Sequence, residues 1–212
     1  MSAFYAFSAV LTGDIVNSTQ LAPDVEQNLL ASLEQLLSPY LIEFYRGDSF
    51  QVYVKDPAQA LRVALSCRVL AIGLTGGEDG PVVSDIRISI GIGPVILPVR
   101  TPGTAKGKAF LLSGRLFDQF KETERRLSIA SGMDIADIAF EVMADYLDAI
   151  YKGMTTKQAV AIGRLLGGMA QQEVALELNK SKSTVSQLVN AGRWPEIEKI
   201  LQQFETLINH LV

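Results

Sequence analysis

The stretch TGDIVNST, residues 12–19, decides the fold because it joins a buried strand to a polar turn. It ends an almost continuous apolar run that begins at Phe4, the pattern of a central strand covered on both faces. Asp14 places a carboxylate at the end of this strand, and Asn17 and Ser18 follow as residues that commonly begin a helix. We therefore expect a central strand whose end carries polar chemistry.

The pattern beyond this stretch alternates strands and helices and then becomes wholly helical. Apolar spacing predicts strands at 40–45, 50–54, 85–95 and 127–130, and helices at 23–37, 57–71, 109–120 and 133–151. Glycine and proline predict loops at 75–81 and 97–108.

This order predicts an α+β fold: a ferredoxin-like split βαβ domain, with helices on one face of a mainly antiparallel sheet, followed by an all-helical helix-turn-helix domain. We expect the sheet domain at residues 1–132, a linking helix at 133–153 and the helical domain at 154–212.

Composition limits the classes of function. Hydrophobic residues make up 48% and charged residues 20%, which is ordinary globular usage. The formal charge of −4 argues against a general polyanion binder, but it divides into −6 for residues 1–151 and +2 for residues 152–212. One cysteine, Cys67, excludes an intrachain disulfide, and with one histidine, His210, it argues against a zinc site.

The sequence gives no expectation of a membrane partner. Its start lacks the basic segment of a signal peptide, and no apolar stretch approaches the roughly 18 residues that span a bilayer. We expect a cytoplasmic protein.

Two carboxylates are candidates for a metal site. Asp14 ends the first strand, and Asp48 lies in the turn between the second and third strands, which the split βαβ order can bring beside it. Converging carboxylates suit Mg²⁺, and backbone amides at 15–19 could hold phosphates at a helix start. Alternatively, Asp14 caps the next helix and Asp48 is an ordinary turn residue.

The motifs GDIVNST, GDSF and RISIGIG occur in this order over roughly residues 5–130, which resembles the catalytic domain of class III nucleotidyl cyclases. The resemblance implies that Asp14, Asp48 and the main chain of Ile15 hold Mg²⁺. It implies nucleotide contacts by Asn17, Ser18 and Thr19, and a homodimer, because sites of this kind usually form between two chains.

Other positions of the same family depart from its pattern. Arg115 matches an arginine on the helix after the last loop and is the catalytic and nucleotide-binding candidate, although a structural ion pair is an alternative. Leu111 stands where the family has asparagine, and the base-reading positions fall near Phe44 and Thr104. The loss of these fixed donors argues against efficient cyclisation.

The whole chain is similar to the SatD family of bacterial proteins. The resemblance lies in TGDIVNS, GDSFQ, RISIGIG, AFLLSGR and the helical C-terminal part. It implies the two-part architecture more than it implies an activity.

The tail MAQQEVALELNKSKSTVSQLVNAGRW resembles the helix-turn-helix of sigma-factor-like regulators. Ala175, Asn179 and Val185 take the places of the small, turn and buried β-branched residues. The residues expected to contact DNA are Lys182, Ser183, Thr184, Gln187, Asn190 and Arg193. The alternative is a small helical bundle used for dimerisation.

Two functional hypotheses follow from these patterns. In the first, the chain is a DNA-binding regulator whose cyclase-like domain binds a nucleotide or mediates dimerisation without efficient turnover. In the second, it is a nucleotidyl cyclase or a related Mg²⁺-dependent phosphoryl-transfer enzyme with a regulatory helical tail. Leu111 and Phe44 favour the first hypothesis, and the pair Asp14 and Asp48 favours the second.

Overall fold

The computed structural model describes residues 4–45, 47–76, 82–120 and 123–211. Its strands are β1 (Phe4–Ile15), β2 (Leu41–Tyr45), β3 (Ser49–Val54), β4 (Ile86–Leu97) and β5 (Leu127–Ala130). Its helices are α1 (Pro23–Leu37), α2 (Ala60–Thr75), α3 (Lys108–Gln119), α4 (Asp134–Lys152), α5 (Thr156–Leu166), α6 (Gln171–Glu177), α7 (Lys182–Ala191) and α8 (Trp194–Leu211).

The strands form one sheet in the order β2-β3-β1-β4-β5. The pairs β2–β3, β3–β1 and β1–β4 are antiparallel, and β5 is added parallel to β4 after the α3 crossover. β1 is therefore the middle strand, as its apolar run predicts. The order confirms the α+β class and the split βαβ topology.

Helices cover both faces of the sheet, which corrects the expectation of helices on one face. α1 and α2 pack on the face that carries Leu11 and Ile88, whereas Val10, Tyr53 and Ala109 form a second cluster beneath α3. The second face of β4 carries small residues. A Cβ at Gly91 would lie 2.1 Å from the carbonyl oxygen of Ala109, so only glycine allows α3 to approach this closely.

Several predicted boundaries change. α1 begins at Pro23, but residues Ser18–Gln20 form only a 3₁₀ turn and not a helix start. α2 continues to Thr75, beyond the predicted end at 71. The predicted loop at 97–108 contains a 3₁₀ turn and a bridge between Val95 and Gly107. In the predicted loop at 75–81, residues 77–81 lie outside the described part of the chain.

The helical part shares its core with the sheet part. α4 packs against β5, and its Phe140 meets Phe204 of α8 with ring centroids 5.5 Å apart. α5 packs against α2, where a Cβ at Gly73 would lie 3.2 Å from Val160. One hydrophobic cluster runs from the sheet to α8. The division at 132 and 153 stays a prediction, but α4 is packed along its length.

The segment Pro57–Thr75 is long and apolar enough, by length and composition alone, to cross a membrane. The expectation that no stretch reaches this length was wrong. In this structure α2 lies against the sheet on one side and α5 on another, and its residues Leu61, Ala64 and Leu65 are fully buried. A helix between two apolar partners acquires this composition from packing.

A buried ion cluster joins α2 to α4. The guanidinium of Arg68 is 1% exposed and donates to both oxygens of Asp85, at 3.1 and 2.7 Å, and to Asp148 at 2.5 Å. Its charge also lies over the ring of Tyr151, 4.6 Å from the ring centroid. Asp148 in turn accepts from the amides of Arg126 and Leu127. The cluster thus ties α2, the entry to β4, the start of β5 and α4 together.

We predict that Arg68→Met lowers the free energy of unfolding by about 3–5 kcal/mol, because it leaves two partly buried carboxylates without their cation. Arg125→Met is the matched control. Arg125 pairs with Glu141 and Asp145 at the surface, and its loss should cost less than about 1 kcal/mol. Urea denaturation measures both. Equal losses in the two variants would contradict a special role for Arg68.

Candidate functional site

The end of β1 and the β2–β3 turn lie side by side. Asp14 is in register with Ser49, and the amide of Ile15 donates to the carbonyl oxygen of Asp48 at 3.2 Å. The split βαβ topology therefore brings the two predicted carboxylates to one end of the sheet. The side chain of Ile15 is buried in the core, so only its main chain could contribute to a site.

The carboxylate of Asp14 is held by an arginine that the sequence analysis missed. Arg87 of β4 lies directly opposite Asp14, and its Nε and Nη2 donate to the two carboxylate oxygens at 2.9 and 2.7 Å. The side chain of Asp14 is 16% exposed and that of Arg87 is 30% exposed, so solvent screens this ion pair only in part. Arg87 is the arginine of the RISIGIG motif, but its pairing with Asp14 can be recognised only when the register between β1 and β4 is known.

The carboxylate of Asp48 also has protein partners. Ser18 donates to it at 2.8 Å and Ser49 at 3.4 Å. Within the described residues no group of three or more His, Cys, Asp or Glu side chains could hold a metal ion. With Arg87 on both oxygens of Asp14, the residues as arranged here do not fit Mg²⁺. Magnesium at Asp14, Asp48 and Ile15 stays a prediction.

Two of the five amides at residues 15–19, which were expected to hold phosphates, are already used within the protein. Those of Ile15 and Val16 already donate to the carbonyl oxygens of Asp48 and Asp85. Asn17 has a left-handed backbone with φ of 57°, which breaks the strand, and its side chain donates to the carbonyl oxygen of Val83 at 3.3 Å. The 3₁₀ turn that contains Ser18 and Thr19 has three residues, too short for a helix-dipole site. Asp14 caps no helix, because Arg87 holds it.

Among the described residues, the other positions that the cyclase resemblance singles out do not contact Asp14 or Asp48. Arg115 lies on α3 with its side chain exposed, and the described residues show no contact between it and Asp14 or Asp48. Leu111 is 52% exposed on the same helix. Phe44 packs against Phe50, with centroids 5.8 Å apart, so this position serves the core.

We predict that millimolar Mg²⁺ stabilises Arg87→Gln against heat more than it stabilises the native sequence. Removing the guanidinium frees both oxygens of Asp14 for a cation. Thermal denaturation with and without Mg²⁺ measures the difference, with Arg87→Gln/Asp14→Asn as the control that should lose it. A rise in the native protein that Asp14→Asn abolishes would show instead that the metal displaces Arg87.

The second candidate site is the helical pair α6 and α7. Asn179 in the turn adopts φ of 49°, Val185 is fully buried and Ala175 is 4% exposed, as the helix-turn-helix pattern predicts. Ser181 caps α7 by accepting from the amide of Thr184 at 3.1 Å. Each local prediction for this turn is therefore confirmed.

The outer face of α7 is polar and open. The exposed residues on it are Lys182, Ser183, Thr184, Gln187 and Asn190. The hydroxyls of Ser183 and Thr184 each lie 2.8 Å from that of Ser181. In the described chain, no hydrogen bond or ion pair holds the side chains of Lys182 and Gln187. These two groups are therefore free to bind a partner.

Arg193 differs from the other predicted DNA contacts. It follows α7 with φ of 61°, and its Nε donates to Glu196 at 3.1 Å. Its Nη2 donates to the hydroxyl of Tyr146 at 2.5 Å, and its charge lies 5.1 Å from that ring's centroid. The backbone amide of Glu196 and then Arg193 lower the pKa of the Glu196 carboxyl. Arg193 therefore joins the helical tail to α4, and its contact with DNA stays a prediction.

Comparison with known proteins supports the second site. Residues 161–207 match the helix-turn-helix family model, which covers less than a quarter of the chain. No curated protein sequence matches the chain. Two structures of a bacterial light-regulated adenylyl cyclase are similar, each at 14% identity and a TM-score of 0.43 over 61% of this chain and 44% of that chain. The chain thus spans less than half of those cyclase chains, and nothing of their activity is carried over.

Proposed function

We propose that this protein is a DNA-binding regulator that reads DNA with α7. The observation that carries the proposal is the helix-turn-helix match at residues 161–207, together with the unoccupied polar face of α7. In such motifs the N-terminal residues of the second helix meet base edges in the major groove while neighbouring groups contact phosphates. Lys182 is the phosphate contact, and Gln187 is the base contact, because glutamine can pair with adenine in two hydrogen bonds.

The charge of the protein is consistent with weak DNA binding by a single chain. The tail has a formal charge of only +2 in a chain of −4, so phosphate attraction supplies modest affinity. Two copies would double the basic surface and would match two half-sites. We therefore extend the proposal to a homodimer.

An apolar stripe on α4 supports the dimer. Ile135, Ile138, Val142 and Tyr146 are exposed by 87%, 64%, 66% and 39% and recur at helical spacing on one side. The opposite side of α4, with Phe140, already packs in the core. Exposed apolar residues that lie together on one face of a helix favour an interaction surface. In the proposed dimer the two α4 helices pack against each other.

The sheet domain is the regulatory part in this proposal, either as a nucleotide-binding or as a dimerisation domain. Asn17, Ser18 and Thr19 are the nucleotide contacts that the cyclase resemblance implies. We do not extend the proposal to cyclisation, because Arg87 holds Asp14, and Arg115 contacts neither predicted metal ligand within the described residues.

We predict distinct effects of two substitutions on α7. Lys182→Ala should weaken binding to all duplexes about equally and reduce the salt slope by about 1. Gln187→Ala should cost about 1–3 kcal/mol on the preferred sequence selected from a random duplex library, and should relax specificity at one base pair. Both side chains are exposed, so the melting temperature should not change.

Fluorescence anisotropy at several salt concentrations measures the affinities. Lys199→Ala on α8, which removes the same charge from another helix, is the matched control and should bind like the native protein. If neither α7 variant differs from Lys199→Ala on any duplex, α7 does not read DNA.

We predict that Ile138→Glu converts a dimer into a monomer in light scattering at micromolar concentration. A charge on the stripe would have to be desolvated in the interface, whereas the free surface tolerates it. Leu176→Glu, at a residue 82% exposed on α6, is the control and should remain dimeric. A native protein that is monomeric at all concentrations would refute the proposed pairing.

A further inference from the structure

A small polar cavity lies where the sheet end meets the last turn of α4. Its volume is about 190 Å³, and its lining includes Asn17 after β1, Asp85 before β4, Arg126 before β5 and Tyr151 on α4. It is on the α2 side of the sheet, because Ile72 also lines it. The cavity is therefore on the opposite face from the side chain of Asp14, which shares its face with Thr12 and Ser113 of α3.

Two groups of this cavity have no partner within the part of the chain that the structure describes. The hydroxyl of Tyr151 is buried, in a residue 2% exposed, and has no hydrogen-bond partner among the described residues. The guanidinium of Arg126 forms no ion pair within the described residues, although its backbone amide donates to Asp148. A buried unsatisfied hydroxyl costs about 1–3 kcal/mol, so a retained one indicates a missing acceptor.

The charges around the cavity favour an anion. Arg68 neutralises Asp85, which is the one carboxylate among the described residues of the lining. Lys152, also in the lining, forms an ion pair with Glu124 at 3.6 Å. Both side chains are more than four-fifths exposed, so this ion pair is weak and easily broken. Burial raises the pKa of Tyr151, which keeps its hydroxyl a donor. Two cations and a hydroxyl donor thus face a space of several water volumes.

A second cavity of about 400 Å³ adjoins the first at Asp85, Arg126 and Lys152. Its lining includes the carboxylates of Asp145 and Asp148, which are acceptors for hydroxyl groups. The space is large enough for the body of a small ligand whose anionic end enters the smaller cavity.

We infer that this junction binds a small phosphate ester that carries hydroxyl groups, with its phosphoryl group held by Arg126, Lys152 and the Tyr151 hydroxyl. Arginine matches phosphate oxygens in a two-bond fork, and the tyrosine hydroxyl supplies a third bond. Because Tyr151 and Met154 flank the start of the helical tail, the ligand would bridge the sheet and the helices that carry α7. This inference does not depend on DNA binding.

The test uses the full chain, with inorganic phosphate and ribose 5-phosphate as probes at constant ionic strength. Both should raise the melting temperature by mass action, and calorimetry should show tighter binding of the ester. Arg126→Gln and Tyr151→Phe should each weaken binding about tenfold or more, since each removes a hydrogen bond to a charged group. Tyr151→Phe keeps the ring against Arg68 and should be at least as stable as the native protein without ligand.

Two controls separate this site from other anion sites. Arg100→Gln removes the same charge at the opposite end of the sheet, and Lys182→Ala removes the proposed DNA-phosphate contact. Both should bind the probes like the native protein. The inference is overturned if neither probe binds, or if Arg126→Gln and Tyr151→Phe bind as tightly as the controls. If ribose 5-phosphate binds no tighter than inorganic phosphate, the larger cavity does not hold an ester.

Discussion

The position of α4 depends on one buried guanidinium. Arg68 cannot remain charged in the core without both Asp85 and Asp148, since an unpaired buried ion costs several kcal/mol. Asp148 also receives the two amides at the start of β5, so the same carboxylate fixes the fifth strand and the fourth helix. The helices after α4 take their place relative to the sheet from this arrangement together with the packing of α5 against α2.

Apolar packing and the ion cluster contribute different properties. The hydrophobic cluster that runs from β1 to α8 supplies most of the driving force, but this force has no direction. The Arg68 cluster adds geometry, because its hydrogen bonds are satisfied in only one orientation of α4. The neighbouring Tyr151 hydroxyl and Arg126 guanidinium then line the cavity with no partner among the described residues, so the element that orders the junction also borders the cavity.

Local patterns allowed much of the fold to be predicted. The bounds of α1 and β5, the central position of β1 and the turn conformation of Asn179 all follow from apolar spacing or residue preference over a few positions. The sequence failed where the answer depends on pairing between distant residues. Arg87 meets Asp14 only through the β1–β4 register. Gly91, and Ser89 that donates to the carbonyl oxygen of Ser113 on α3, indicate a helix-covered second face only once α3 is placed. The sequence therefore predicted that Asp14 and Asp48 lie at one end of the sheet, but it did not predict the arginine that holds Asp14.

The sequence separation within the Arg68 cluster has a consequence for synthesis. Arg68 and Asp148 are 80 residues apart in the chain. Domains generally fold from the N-terminus as they emerge from the ribosome, but here a charged group in α2 lacks one of its two anions until α4 has emerged. The sheet therefore cannot reach its final packing as an early, separate folding unit. Its completion is coupled to the synthesis of the helix that leads to the tail.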